Sequence, residues 1–156
     1  MIEYKISDVR SLIIIEEVYS NFLSFVQEGN SNERGGILLG KMTIDSRYVY
    51  ITDFSTPTIA DSSGRFFFIR KKNPAQRYID KLWRESKGEI NYLGEWHTHP
   101  ATNLTPSTED ENMISESLRL NDCPYNELYL VILGIDGSFY VGHMSKYGLV
   151  KLERRS

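Results

Sequence analysis

The apolar residues of this chain change period repeatedly along its length, and that alternation restricts the fold more than any other feature. From Glu16 to Gln27, Val18, Tyr19, Phe22, Leu23 and Val26 recur at helical spacing, and Gly29-Asn30 supplies a stop. Ile37–Leu39, flanked by Gly35, Gly36 and Gly40, reads as a short buried strand. Tyr48–Phe54 is rich in β-formers, and Asp45-Ser46-Arg47 ahead of it makes a hairpin turn. A loop at Asp61–Gly64 precedes a strand at Arg65–Ile69. Asn73-Pro74 opens a second helix, with Ala75, Tyr78, Ile79, Leu82 and Trp83 as its apolar stripe and Gly88 as its stop. Tyr92–Trp96 is a strand, and Ser107–Leu120 a third helix with Met113, Ile114, Ser117 and Leu118 on one face. Leu128–Leu133 and Ser138–His143 form a hairpin across Gly134–Gly137, and Gly148–Leu152 adds a last strand. Helices alternating with both single strands and hairpins predict one α/β domain over residues 1–156, a mixed sheet with helices packed against it.

Charge and cysteine content narrow the function classes. A net charge of -3 provides no global basic field for nucleic acid or an anionic membrane. Lys151, Arg154 and Arg155 read as a solvated basic end. The single Cys123 excludes an intramolecular disulfide and a four-cysteine zinc site, and reads as a small apolar residue near a turn. The longest apolar run, Leu12–Ile15, is far too short to span a bilayer, and Met1–Lys5 lacks a secretory pattern. A cytoplasmic location is the expectation.

Two short segments carry the chemistry: Gly-Glu-Trp-His-Thr-His-Pro at 94–100 and Pro-Ser-Thr-Glu-Asp at 106–110. Alternate strand residues face the same side, so His97 and His99 can offer both imidazoles to one cation. Asp110, in the first turn of the next helix, can supply an oxygen ligand from the opposite side. Two histidines and a carboxylate with an open fourth position make a catalytic zinc arrangement, since a structural site is closed by four protein ligands. Ser107 and Asp110 equally fit a helix capping box. Glu95 falls in phase with His97, either beside the ligands or as a buried polar strand residue. His143, far from the motif, reads as structural.

Taken together, His-x-His-Pro at 97–100, Pro-Ser-x-x-Asp at 106–110 and Glu33 ahead of the glycine-rich strand resemble the JAMM motif of the JAB/MPN-plus metalloproteases. The resemblance runs from about residue 14 to residue 145. It implies the cytidine-deaminase-like α/β fold, a curved mixed β-sheet flanked by helices. It implies one Zn²⁺ per chain on His97, His99 and Asp110, with Glu33 as general base and Ser107 donating to the oxyanion. Arg65–Arg70, Gln76, Ile79–Trp83 and Tyr92–Pro100 resemble a narrower bacterial branch, encoded beside ubiquitin-activating-like and conjugating-like enzymes in cyclic-oligonucleotide-based antiphage signalling (CBASS) operons. That likeness implies a peptidase that releases proteins conjugated through the C-terminus of the operon's nucleotidyltransferase, its extended tail laid against a sheet edge.

Residues 56–88 correspond in position to a family insertion that contacts substrate. Phe66, Phe68 and Arg70 there are candidate substrate contacts beside Glu95, although aromatic strand residues more often fill a core and surface arginines often stay solvated. Related enzymes process ubiquitin-like or sulfur-carrier tails, and other members of the fold are metal-free scaffolds. The intact set of Glu33, His97, His99, Ser107 and Asp110 opposes the scaffold reading.

Overall fold

The computed structural model describes residues 1–26, 32–56, 62–64, 67–69, 72–100, 102–120 and 123–155, with 62–64, 67–69 and 72–73 described through the backbone alone. The chain opens with β1 (Ile2–Lys5), β2 (Ser11–Ile14), α1 (Glu16–Leu23), β3 (Gly35–Met42) and β4 (Tyr48–Phe54). A small hairpin of β5 (Ser62–Gly64) and β6 (Phe67–Ile69) leads to α2 (Lys72–Glu85) and β7 (Asn91–Thr98). Then follow α3 (Thr108–Leu120), β8 (Leu128–Leu133), β9 (Phe139–Ser145), β10 (Gly148–Lys151) and β11 (Glu153–Arg154).

Nine strands form one mixed sheet in the order β10-β9-β8-β7-β3-β4-β2-β1-β11. The β2–β4 and β7–β8 pairs are parallel and the rest antiparallel. β10 and β11 lie at opposite edges, yet only Leu152 separates them in the chain. The backbone therefore crosses from edge to edge and curls the sheet nearly closed. Leu152 N–H donates to the Val141 carbonyl and Arg155 N–H to that of Glu3, both at 2.8 Å.

The curl gives the sheet an inner and an outer face. On β8, Tyr129, Val131 and Leu133 point inward, to Val18 and Phe22 of α1, Leu38 and Trp96. Leu128, Leu130 and Ile132 point outward, under Met113 and Ile114 of α3. α2 covers Ile37 and Leu39 on the same outer face through Ala75, Tyr78, Ile79 and Leu82. A strand buried on both sides reads as a continuous apolar run, which is what Leu-Tyr-Leu-Val-Ile-Leu is.

β7 changes phase midway. Leu38 faces Gly94 across the ladder but Leu39 faces Tyr92, so Leu93 is an extra residue and the strand bulges there. Leu93 packs in the inner core, whereas Tyr92 lies on the outer face. Without the bulge, residues 93, 95 and 97 would share the inner face. With it, Glu95 joins Tyr92 on the outer face through a 2.7 Å bond from the tyrosine hydroxyl, and His97 follows. Gly94 makes this possible: its φ is +146°, and a Cβ there would sit 1.9 Å from the Tyr129 carbonyl oxygen.

Most expected elements are present, with some differences. α1 ends at Leu23, not Gln27, because Ser24 and Phe25 donate to Asn21 and Phe22 and tighten the last turn; Gln27, Gly29 and Asn30 lie outside the described residues. β1 and β2 were absent from the pattern, since each has four residues and β2 is buried throughout, which erases alternation. Ser62–Gly64, expected as loop, pairs as β5. α2 starts at Lys72 rather than behind an Asn73 cap, placing Pro74 in the first turn, where its missing N–H has no helical partner anyway. Gly88 does stop the region, with φ +86° and its N–H on the Trp83 carbonyl.

A polar cluster ties the β1–β2 turn to the start of β8. Arg10 grips Glu127 with two bonds, 2.6 and 3.1 Å, while Tyr129 Oη donates to the same carboxylate at 2.9 Å. His143 Nε2 stands 2.8 Å from it, the structural place expected of this histidine. Burial opposes the Glu127 charge, but His143 and Arg10 outweigh it and hold the carboxyl down to about 2. A depressed carboxylate stabilises the fold above its ordinary pKa of 4.5 and loses that contribution as pH falls towards about 2. Glu127→Gln should therefore cost roughly 2–3 kcal/mol in urea unfolding at neutral pH. The gap from wild type should close on acidification below about pH 4.5, and a gap independent of pH would contradict the ion-pair account. Gly94→Ala should cost ~3 kcal/mol or more, or abolish soluble protein, because the clash is with backbone that cannot move aside. Thermal unfolding unchanged by that substitution would show that the bulge is not needed.

Candidate metal centre

The re-phased end of β7 and the start of α3 meet at one point. His97 is 6% exposed on the outer face, and the backbone at His99 is held by its N–H bond to the Leu133 carbonyl at 2.9 Å. The two Nε2 atoms lie 3.1 Å apart. Ser107 caps α3 in a reciprocal box: Asp110 N–H donates to Ser107 Oγ at 3.1 Å, and Ser107 N–H to Asp110 Oδ2 at 2.9 Å. That geometry aims the carboxylate at the imidazoles, with Oδ1 3.2 Å from His97 Nε2 and Oδ2 3.2 Å from His99 Nε2.

The donor set fits a small divalent cation. Contacts of 3.1–3.2 Å among two imidazole nitrogens and a carboxylate are close to the ~3.3 Å edge of a tetrahedron built on ~2.0 Å zinc–ligand bonds. Burial alone would raise the Asp110 carboxyl, but His97, His99 and the Ser107 N–H hold it well below the usual carboxylate range.

Glu33 approaches from the segment before β3. Its carboxylate and the two histidine nitrogens all lie within 4.8 Å of one another, and the residue is 4% exposed. Among the described residues it has no hydrogen-bond partner. Burial pushes its pKa up to about 7; His99 counters this and Asp110 reinforces it. The Glu33 carboxylate faces the two imidazoles, close enough to share one cation with them.

Glu33, His97, His99, Ser107 and Asp110, widely spaced in the chain, thus stand together. Glu95 is buried on the same face as His97, two residues before it, and is bonded to Tyr92. Phe66 and Arg70 lie outside the described residues, as does the side chain of Phe68, whose backbone is part of β6. Sequence reading passed over Thr98 as a spacer between histidines. It is fully buried and bonded to Arg34, and its hydroxyl at a closed strand position was the available signal.

Comparison with known proteins places the fold in a family. The family described as prokaryotic homologs of the JAB domain matches residues 16–145. A Pseudomonas aeruginosa protein named CD-NTase/cGAS isopeptidase is 32% identical over 114 residues, covering 72% of this chain and 71% of that protein. An Escherichia coli protein of the same name is 36% identical over 100 residues, covering 64% of this chain and 63% of that protein. A solution structure from Desulfitobacterium hafniense shares the fold, with a TM-score of 0.60 at 21% identity over 90% of this chain and 88% of that one. A match over most of the chain, on a curved mixed sheet that gathers these residues, places this protein in the prokaryotic JAB-domain family.

Proposed function

We propose that this protein is a zinc-dependent isopeptidase that releases proteins conjugated to the C-terminus of a CBASS nucleotidyltransferase. The observation that carries the reading is a triangle of His97, His99 and Asp110 donor atoms with the buried Glu33 carboxylate beside it. The relatives named CD-NTase/cGAS isopeptidase support the substrate class. In this reading the neighbouring activating and conjugating enzymes make the bond that this enzyme cuts, in the cytoplasm. No helix among the described residues is long and apolar enough to cross a membrane.

His97, His99 and Asp110 would hold one zinc ion. When bound, the ion supplies a Lewis acid and makes water easier to deprotonate near neutral pH. Glu33 takes the proton of the attacking water and passes it to the amine as the C–N bond breaks and the C–O bond forms. Burial, which raises the Glu33 carboxyl above the ordinary range, favours its carrying a proton. Ser107 Oγ accepts the Asp110 N–H, and among the described residues its hydroxyl donates to no other group, so it can donate to the carbonyl oxygen as that becomes an oxyanion. No acyl-enzyme is required, in keeping with a buried Cys123.

The test is intact-mass spectrometry of zinc-loaded protein with fusions to the nucleotidyltransferase C-terminus, beside direct metal titration. Wild type should bind one zinc and cut directly after that C-terminus. Glu33→Gln should bind zinc equally and lose about 10²–10⁴-fold in kcat. Ser107→Ala should lose about 10²–10³-fold. Asp110→Ala should lose more zinc affinity than the ~10–100-fold typical of an outer-sphere partner. Full turnover by zinc-loaded Glu33→Gln would remove Glu33 from the chemistry. Bound zinc without cleavage would move the substrate to another tail, a ubiquitin-like or sulfur-carrier one.

A further inference from the structure

We infer that Thr98 is a positioning residue whose hydroxyl fixes the Glu33–Arg34 peptide, and through it the Glu33 carboxylate, against the strand that carries both histidines. The inference rests on reading Glu33 as the proton-transfer group.

The paired β3–β7 register ends with Gly35 opposite His97. One step further, Arg34 stands opposite Thr98. At that step Thr98 N–H donates to the Arg34 carbonyl at 2.8 Å, while the Arg34 N–H goes to Thr98 Oγ1 at 2.9 Å. A side-chain oxygen thus makes the last rung between the two segments. The N–H it accepts belongs to the peptide unit that joins Glu33 to Arg34, one bond from the Glu33 α-carbon.

Packing alone does not call for a threonine here. The side chain is 0% exposed, and valine has the same shape and is likewise a strand former. A hydroxyl taken out of water is costly unless bonded, and here its oxygen accepts the Arg34 N–H. On its other side the tripeptide is anchored to β8 by the His99 N–H bond to Leu133. Thr98 therefore lets one rigid tripeptide present two imidazoles and also hold the segment that brings the carboxylate to them. Arg34 is steadied further by its guanidinium, 6.0 Å from the centre of the Phe25 ring.

Thr98→Val and Thr98→Ala remove the acceptor with different packing, and Thr98→Ser restores it. Val and Ala variants should bind one zinc with wild-type affinity and keep KM, while kcat falls about tenfold or more through misplacement of the base. Thr98→Ser should recover most of kcat. Combined with Glu33→Gln, the valine change should have little further effect, since the group it positions no longer acts. Amide hydrogen exchange at Arg34 should quicken in Val and Ala and stay slow in Ser, a readout that needs no turnover. Failure of wild type to cleave any tail, with Arg34 exchange still dependent on residue 98, would overturn the enzymatic reading and leave the tether standing. Unchanged kcat and exchange in the Val and Ala variants, full additivity with Glu33→Gln, loss of zinc, or loss of the fold in both would overturn the positioning role.

Discussion

The arrangement depends on β7 lying near the middle of the sheet with its phase reversed at Gly94. Paired antiparallel to β3 on one side and parallel to β8 on the other, it is fixed along both edges. The bulge then turns its second half over, so that Trp96 enters the inner aromatic cluster with Phe22 and Phe54 while His97 leaves it. Trp96 is held at its far end too, its indole N–H on the Ser55 carbonyl at 2.9 Å. A large buried aromatic with a satisfied donor cannot rotate out to let the histidines swap faces. The orientation of the histidine side chains is thus enforced by packing on the opposite face of the same strand.

Much of this was legible in the residues and some was not. The β3–β4 and β8–β9 hairpins, all three helices and the site strand follow from periodicity and turn chemistry. The His-x-His spacing read as a common face, and the two Nε2 atoms are 3.1 Å apart. β1 and β2 were hidden because four-residue strands carry too few positions for a period, and their place beside β4 is set by tertiary pairing. The phase reversal was hidden for a different reason. Strict alternation places Leu93 with His97, and only the non-local approach of the Tyr129 carbonyl reveals that Gly94 breaks it. Glu33 stood in a polar stretch with nothing local to distinguish it. Its neighbours at the site, His97 and His99, arrive more than sixty residues later.

Two carboxylates at one site have been driven apart by their surroundings. Asp110 touches both imidazoles and the Ser107 N–H, all of which favour its charge. Glu33 is more buried and has no such partner among the described residues, so burial favours its proton. Paired carboxyl groups held in opposite states are the usual sign that one serves as a fixed anion and the other exchanges protons. Here the division follows from secondary structure: one carboxylate belongs to a helix cap, the other to the segment that leads into β3.

The capping box bears on an ambiguity that the sequence left open. Ser107-x-x-Asp110 fits both a helix start and a metal site, and the residues that cap α3 also turn the Asp110 carboxylate to the two histidines. Capping fixes the Asp110 carboxylate through the one bond that the Ser107 N–H donates to Oδ2, while both oxygens still face the histidines. It also satisfies the Asp110 N–H through Ser107 Oγ as an acceptor, which leaves that hydroxyl's donor unspent. A ligand held by a helix terminus needs no extra ordering when a cation arrives, and the same bond pre-sets the serine beside it. Thr98 does for Glu33 what Ser107 does for Asp110: each is a small hydroxyl residue whose oxygen accepts a backbone N–H and so fixes a carboxylate from outside its own rotamer.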